Sequence, residues 1–481
     1  MQTLLRVLSE DELDRIHEET LRILAETGVR VDTSRGRKYL QQAGASVDEN
    51  SHIVRIPQSL VDNCLRLAPK DFILGGRRSG STIAINQGAC CIVLDGGAVY
   101  TYDTKTSSRR PATLDDWYLA TRLGDCLDDI DAYWSVVEGC WGHSPKDIVA
   151  YWRTIFTNFS KHVQDATLTA DESRWMLEVI QVVFGSREEV RKTHPVSFVL
   201  CPASPLIIEA DYTDAYLETL DWSIPAAVMT MPLLGISSPA TLVSELVLSN
   251  CETIAMLCLI QSACPGTPFI YAAVPVVADL RSGRYGGGEV ENSILGAAVT
   301  EIARYYHLPV EASTGGSDQS VPGIQAGYER ALNFTLPILA RPDLLVSPGL
   351  LGGSTVFSPE QLIIDLEVIR RCKRLSSGII TSSEKWLGEL IGALGPGGNY
   401  LAQKSTRAQV RSGEIYFGKL GVHTTYEQWN QQGAPELLSE IRAEIQSMIN
   451  KHQPLPLPDE VERELVRLQH RAQQETSISA S

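Results

Sequence analysis

Tyr133, Trp134, Trp141, Tyr271, Glu138 and Glu311 lie in or beside short apolar runs of a 481-residue chain, and this mixture suits one chemistry. Aromatic faces next to a carboxylate hold a quaternary ammonium, because the ring quadrupole attracts the cation and the carboxylate balances its charge. Glu311 carries most weight. It sits inside Pro-Val-Glu-Ala-Ser-Thr (309–314), where an unpartnered buried carboxylate is costly. Each aromatic alone also fits a plainer role, since alternate strand residues fill a core. We expect Glu311, with Tyr271 or Trp134, to hold a cation. Asp318 and Gln325 are expected to line the same opening with polar groups.

Other chemistries find less support. The nine histidines are scattered, and His143, His162, His194 and His307 are not spaced for a shared metal. Ten cysteines form no C-x-x-C pair, and Cys251, Cys258 and Cys264 share one apolar helical region, as buried reduced thiols do. The vicinal pair Cys90-Cys91 has no evident third ligand, so no metal is expected. Gly286-Gly287-Gly288 is followed by Glu289 where a phosphate loop needs Lys and Ser/Thr, so it reads as a flexible loop leading into a helix. A net charge of −16 disfavours nucleic acid and anionic membranes as partners. The first residues lack a signal-peptide pattern, and apolar stretches such as 254–260 fall short of a membrane span. The expectation is a cytoplasmic protein.

The elements that would position these residues change character along the chain. Residues 9 to 27 form an amphipathic helix with a Ser9/Glu12 capping box, and two more helices follow near 35–43 and after Pro57. Residues 72 to 104 show β-rich runs broken by Asn-Gln-Gly and Asp-Gly-Gly, which read as hairpins. From about 113, apolar runs at 131–137, 162–167, 195–200, 226–231, 268–274, 309–314 and 344–349 alternate with helical patterns. Strand, helix, strand at this spacing implies parallel strands buried on both faces. With an eighth strand near 397–401, the pattern fits an α/β fold of the TIM (β/α)8 barrel type, with an N-terminal helical and β-hairpin extension. The domains would be 1–110 for the extension, 111–450 for the barrel and 451–481 for a helical tail. An open doubly wound sheet is the competing architecture, but no G-x-G-x-x-G follows its first strand.

One stretch poses a question of its own. Residues 349–368, GLLGGSTVFSPEQLIIDLEV, place Gly349, Gly352 and Gly353 before a helix that Ser358, Pro359 and Gln361 start cleanly. Glycine there marks a tight turn or the close approach of something else. This segment, together with "STGGSDQSVPGIQAGYERAL" and "GPGGNYL", resembles the trimethylamine:corrinoid methyltransferase family. So does "IHEETLRILAETGVRVDTSRGRKYLQQAGASVD" near the start, and the likeness covers nearly the whole chain. The resemblance implies a TIM barrel that moves a methyl group from a methylated amine to the cobalt of a corrinoid (cobalamin) carried by a cognate partner protein. It also implies that Gly349, Gly352 and Gly353 leave room for that corrinoid.

The turn at 349–353 carries no pyrrolysine, and Gly323 and Ser405 stand where the family shows an acid and a histidine. The likeness therefore points to the branch without pyrrolysine, which includes glycine betaine:corrinoid methyltransferases, and to a quaternary (or tertiary) methylamine such as glycine betaine as substrate. A quaternary ammonium leaves as a neutral amine and asks for no acid, metal or nucleophile from the protein, only alignment. Two other functions compete. A TIM-barrel lyase or isomerase would need a lysine or a metal at the strand ends, and Lys161 and Lys404 are poorly placed for it. A non-catalytic quaternary-amine binding protein would keep the pocket without turnover. Self-association into a homo-oligomer is compatible with the exposed helical extension.

Overall fold

Short apolar runs closed by Pro, Gly or Asp form the walls of an α/β fold in the computed structural model, which describes residues 5–103 and 106–479. Its central strands are β1 (Cys91–Ile92), β2 (Ala132–Tyr133), β3 (His162–Asp165), β4 (Val196–Leu200), β5 (Ala226–Val228), β6 (Phe269–Tyr271), β7 (Glu311–Ala312) and β8 (Leu344–Leu345). Every neighbouring pair is parallel. β2 to β6 form one sheet in sequence order, and β7, β8 and β1 form another. Parallel bridges between Val93 and Ala132 and between Tyr271 and Val310 join the two sheets, so the pairing runs round a cycle and returns to β1.

Each strand is followed by a helix. In order these are Leu114–Cys126, Pro145–Asn158, Ala170–Phe184, Ala210–Leu217, Leu242–Ala263, Glu291–Tyr305, Ile324–Ala340 and Pro359–Ser376. Helices outside and packed side chains inside bury both faces of the strands. The alternation is clean. Val93, Ala132, Val199, Ala227, Ile270 and Leu344 point into the ring, whereas Tyr133, Val163, Phe198, Val228, Tyr271 and Leu345 point outward to the helices.

The position of β1 corrects the sequence-based expectation. Cys91–Ile92 lies in the stretch read as hairpins, yet it pairs in parallel with Leu344–Leu345. Residues 397–401 form turns and irregular chain instead of the eighth strand. A two-residue strand leaves almost no periodic signal, and its partner lies some 250 residues away in sequence. True hairpins flank it, Ile73–Leu74 with Ile83–Ala84 and Tyr100–Asp103 with Ser108–Pro111. The first hairpin plugs the amino end of the ring, where Leu74, Ile83 and Ile85 join the inward-facing apolar cluster. The carboxyl end of the ring faces the strand-end loops instead.

The N-terminal helix Glu10–Glu26 starts with the expected Ser9/Glu12 capping box. Helix Leu242–Ala263 is long and apolar enough to cross a membrane by composition, but it is mostly buried here. Its Asn250 donates to Thr20 Oγ1 of the N-terminal helix at 2.8 Å. The tail helix Asp459–Ser479 lies on its own chain: Arg153 bonds Gln469 and Glu462, and the Lys146 N–H reaches Thr476. By contrast, residues 379–426 expose Ile379, Trp386, Ile391, Leu401, Phe417 and Tyr426, each between 61% and 87% accessible.

Candidate functional site

A polar column stands inside the ring because His162, Gln164, Ser197 and Glu311 all fall on inward positions of β3, β4 and β7. Gln164 Nε2 donates to both carboxylate oxygens of Glu311 at 2.7 and 2.8 Å. Ser197 Oγ lies 3.2 Å from Gln164 Oε1 and 2.8 Å from His162 Nε2. His162 Nδ1 faces the Gly75 carbonyl at 3.0 Å, so that nitrogen carries the proton, and the single Ser197 hydroxyl proton lies between two acceptors, Nε2 and Gln164 Oε1. Glu311 is therefore fully buried and held by a partner, which answers the cost of placing a carboxylate there. Burial pushes its pKa up to about 8, with Asp95 adding to the rise.

His162 makes the lower end of this column sensitive to acid. Burial holds its pKa down to about 3, against 6.5 when free. The folded ring stays neutral while the unfolded one takes up a proton, so the contribution is whole above pH 6.5 and is lost as pH falls from there towards 3. Relative to His162→Gln, the wild-type protein should lose about 2 kcal/mol of unfolding free energy between pH 7 and pH 5. Denaturant titrations at the two pH values measure the gap, and an unchanged gap rules out a neutral buried imidazole.

Above Glu311, acids and rings gather at the carboxyl ends of the strands. Asp95 follows β1, and burial raises its pKa to about 7 against the pull of Arg330 and the Gly96 N–H. Asp165 ends β3 on an outward position, where it accepts the hydroxyl of Tyr151 from helix Pro145–Asn158 at 2.5 Å; burial raises it to about 7 as well. The Cys201 thiol is pushed up to about 12, first by burial and then by Glu138, Asp95, Glu311 and Glu209. It is no thiolate nucleophile. Trp134 and Tyr285 are part-exposed, and both pack on the inner cluster. Trp134 lies flat where a Gly96 side chain would be: a Cβ there would come within 2.5 Å of the indole. Gly96→Ala should displace the ring and weaken cation binding about tenfold, near the upper worth of a desolvated cation–π contact. Calorimetry together with tryptophan fluorescence checks this, and unchanged values for both would place Trp134 outside the site.

The loops above the opening are knitted together by backbone. Gly316 N–H donates to Gly287 O at 2.8 Å, Gly353 N–H to Ser317 O at 2.9 Å and Gly352 N–H to Gln319 O at 2.9 Å. Gly352 and Gly353 have φ of +57° and +62°, the left-handed region that glycine enters without strain. A Cβ on Gly287 would meet Gly353 Cα at 3.3 Å. What approaches the glycine turn in this chain is its own neighbouring loop.

Beneath these loops Arg330, fully buried, acts as the tie. Its Nε and Nη2 bond Asp365 Oδ2 at 3.0 and 2.7 Å, Nη1 bonds Gly315 O at 3.1 Å, and Nη2 also bonds Ser347 O. Gly349 donates to the same Asp365 oxygen at 2.8 Å. Gln361 does not close the expected capping box; its side chain reaches forward to Asp365 Oδ1 at 2.8 Å, while Ser358 Oγ caps the Gln361 N–H.

The structure brings some expected site residues together and separates others. Glu311 and Trp134 both fall on inward positions, Glu311 within β7 and Trp134 just after β2. Tyr271 does not: it falls on an outward position of β6, and its hydroxyl donates to Asn250 at 3.0 Å behind the strands. Asp318 and Gln325 sit on the rim. Gln325 donates to Glu329 at 2.8 Å, and Glu329 also takes the Asp318 N–H at 3.1 Å. Gly349 is buried against Leu362 and Phe357 instead of lining the opening. Asp95, Tyr285 and Gln164 were missed. Asp95 ends an apolar run as other strand-end residues do, but Asp-Gly-Gly also spells a turn. Lys161 lies before β3 and gives its ammonium to the Leu127 and Ile130 carbonyls, far from a substrate role. Cys90 packs with the outer cluster and Cys91 against the inner one, so the pair cannot converge on one ion.

Residues 2–477 match a family described as trimethylamine methyltransferase (MTTB). The trimethylamine methyltransferase MttB of Desulfitobacterium hafniense is 28% identical over 473 residues, spanning 98% of this chain and 95% of that protein. A glycine betaine methyltransferase from Desulfitobacterium hafniense strain Y51 is 24% identical, spanning 95% of each. The crystal structure of the Methanosarcina barkeri monomethylamine methyltransferase MtmB aligns with a TM-score of 0.49 at 10% identity, covering 97% of this chain and 92% of that one.

Proposed function

We propose, for a chain that belongs to the trimethylamine methyltransferase (MTTB) family, that it removes a methyl group from a quaternary ammonium and passes it to the Co(I) of a cognate corrinoid protein. On this reading the cycle of eight parallel strands is a TIM barrel. The helices and hairpins before β1 form the extension, and the helix from Asp459 forms the tail. The observation that carries the proposal is that Trp134 and Tyr285 pack on the inner cluster of a ring whose inward residues include Glu311, with Asp95 close enough to Glu311 and Tyr285 to act on both. Rings plus acids recognise a cation that cannot donate a hydrogen bond.

The residues work by holding. Trp134 and Tyr285 supply ring faces for the methyl groups, and Glu311, fixed by Gln164, supplies charge from below. Asp318 and Gln325 are read as rim residues, and Tyr271 takes no part. The rim fits a flat partner group, because Gly97 and Gly316 present backbone with nothing nearer than 3.6 Å to an added Cβ. Gly352 and Gly353 hold the neighbouring loop beside that approach, and Gly349 serves the packing beneath it. When bound, the partner's Co(I) supplies the electron pair for the new bond to carbon, and nitrogen keeps the old C–N pair and leaves as a neutral tertiary amine. Alignment and exclusion of water are then the protein's share, worth up to about 7–11 kcal/mol.

The test is spectroscopic. The protein with reduced cobalamin and a panel of betaines, choline, carnitine and trimethylamine should form methylcobalamin only with a quaternary amine. Binding without methyl transfer, in the presence of a corrinoid protein too, would leave a binding protein and defeat the proposal. Intracellular residence accompanies the reading. So does a homo-oligomer through the apolar face at 379–426, since such a face is costly in water. Light scattering should report a multimer for wild type and a monomer for Trp386→Glu/Phe417→Glu; a monomeric wild type would leave that face to another partner.

A further inference from the structure

We infer that Ser347 is a positioning residue, held in a strained backbone conformation so that its hydroxyl ties together the ends of β7 and β1. The inference rests on the proposed function and adds a residue to that site. It starts from the backbone. Among the described non-glycine residues with positive φ, all but Ser347 lie between +40° and +65°, in or near the ordinary left-handed well. Ser347 stands apart at +98°. A Cβ is poorly tolerated there, and glycine is the residue that enters without strain. Pro348 follows and narrows the backbone choices of Ser347 further.

The turn redirects the side chain. Leu344 and Val346 point into the ring and Leu345 points outward. Continued, that alternation would send Ser347 outward to the helices. Its hydroxyl instead lies 3.2 Å from Ser313 Oγ. Ser313 comes two residues after Glu311, on the same side of that strand line. Asp95 comes two residues after the inward Val93 and falls on the inward side as well. A hydrogen bond from Ser347 pulls the Asp95 pKa down against its burial. With Asp95 ionised, Ser347 donates to it and Ser313 donates to Ser347, because a carboxylate only accepts. One hydroxyl after β8 thus joins a group after β7 to a group after β1, its two neighbours in the sheet.

Strain persists only where the surroundings over-determine it, and here they do. Arg330 Nη2 donates to the Ser347 carbonyl. The Gly349 N–H and Arg330 share Asp365 Oδ2, so the chain is pinned on both sides of Pro348. Ser347 is fully buried, whereas Ser313 and Asp95 are part-exposed. It therefore acts through them. Tied to Ser347, both are confined to one orientation at the strand ends, beside Glu311 and Tyr285. That confinement serves a reaction that depends on alignment of the N–CH3 bond. Glycine at this position would relax the backbone and lose the tie.

Three variants of the full chain separate strain from hydroxyl. Ser347→Ala removes the hydroxyl and keeps the Cβ, and Ser347→Gly removes both. Thermal unfolding should place Ser347→Gly about 1–3 °C above Ser347→Ala, the reverse of the usual order for these residues. Methyl transfer to reduced cobalamin is then measured with whichever of choline, glycine betaine, carnitine or tetramethylammonium the wild type uses. Both variants should lose at least about tenfold in kcat while KM changes less than about threefold. Ser347→Cys, which keeps a weak donor, should recover part of the rate. Ala and Gly variants that turn over like wild type overturn the positioning role, whatever their melting order. Ser347→Gly melting no higher than Ser347→Ala overturns the strain. A wild type that neither binds nor demethylates any quaternary amine defeats the proposed function and the positioning role together.

Discussion

Glu311→Gln should weaken binding of the proposed quaternary ammonium by at least about thirty-fold, or about 2 kcal/mol and upward, with the fold preserved. The carboxyl group is fully buried and already satisfied on its lower side by Gln164. On the proposed function, an incoming cation would pair with an acid that water cannot screen, and such truncations remove far more than a surface charge would. Glutamine keeps the volume and still offers an oxygen to Gln164 Nε2, so packing is retained. Isothermal titration measures the loss, and thermal unfolding checks that it is local. Affinity within threefold of wild type would take Glu311 out of the cation site and leave it as a strut for β3 and β7.

Arg330→Met destabilises the protein by about 3–5 kcal/mol, the range found when one member of a buried ion pair is removed. Asp365 keeps the Gly349 N–H and Gln361 Nε2 but loses its counter-charge. The Gly315 and Ser347 carbonyls lose their donors in the same step, and both loops border the opening. The ring of Phe334, 4.4 Å from the guanidinium, also loses its cation. Denaturant unfolding measures the cost. Adding Asp365→Leu should recover a good part of it, because an apolar pair of similar volume avoids the desolvation of both charges. A double variant no better than the single one would show that the loop carbonyls, not the ion pair, set the cost.

Much of the helical framework was readable because helices repeat every 3.6 residues and announce their ends. Ser9 with Glu12, Thr113 with Asp116, and Ser358 before Pro359 mark starts that the structure keeps. The strands from β2 to β8 were readable as apolar runs between helices, but their direction was a matter of alternation. Trp134 and Tyr271 looked alike as aromatics in strands. A single step of register decides that Trp134 faces the opening and Tyr271 faces helix Leu242–Ala263. The glycines at 349–353 were visible as a place of close approach, yet nothing in composition says which surface comes near. The approach turned out to be intramolecular, through Gly287, Ser317 and Gln319.

By itself, the sequence determined the alternating α/β character, the family likeness and the oddity of Glu311, because each of these is written in local pattern or residue type. Only the tertiary structure decided that Cys91–Ile92 closes the cycle of strands, that Asp95 stands over Glu311, and that Arg330 is spent on Asp365. The first two depend on segments more than two hundred residues apart and the third on two successive helices 35 residues apart, where strand register and burial select one contact from many that the local sequence permits equally.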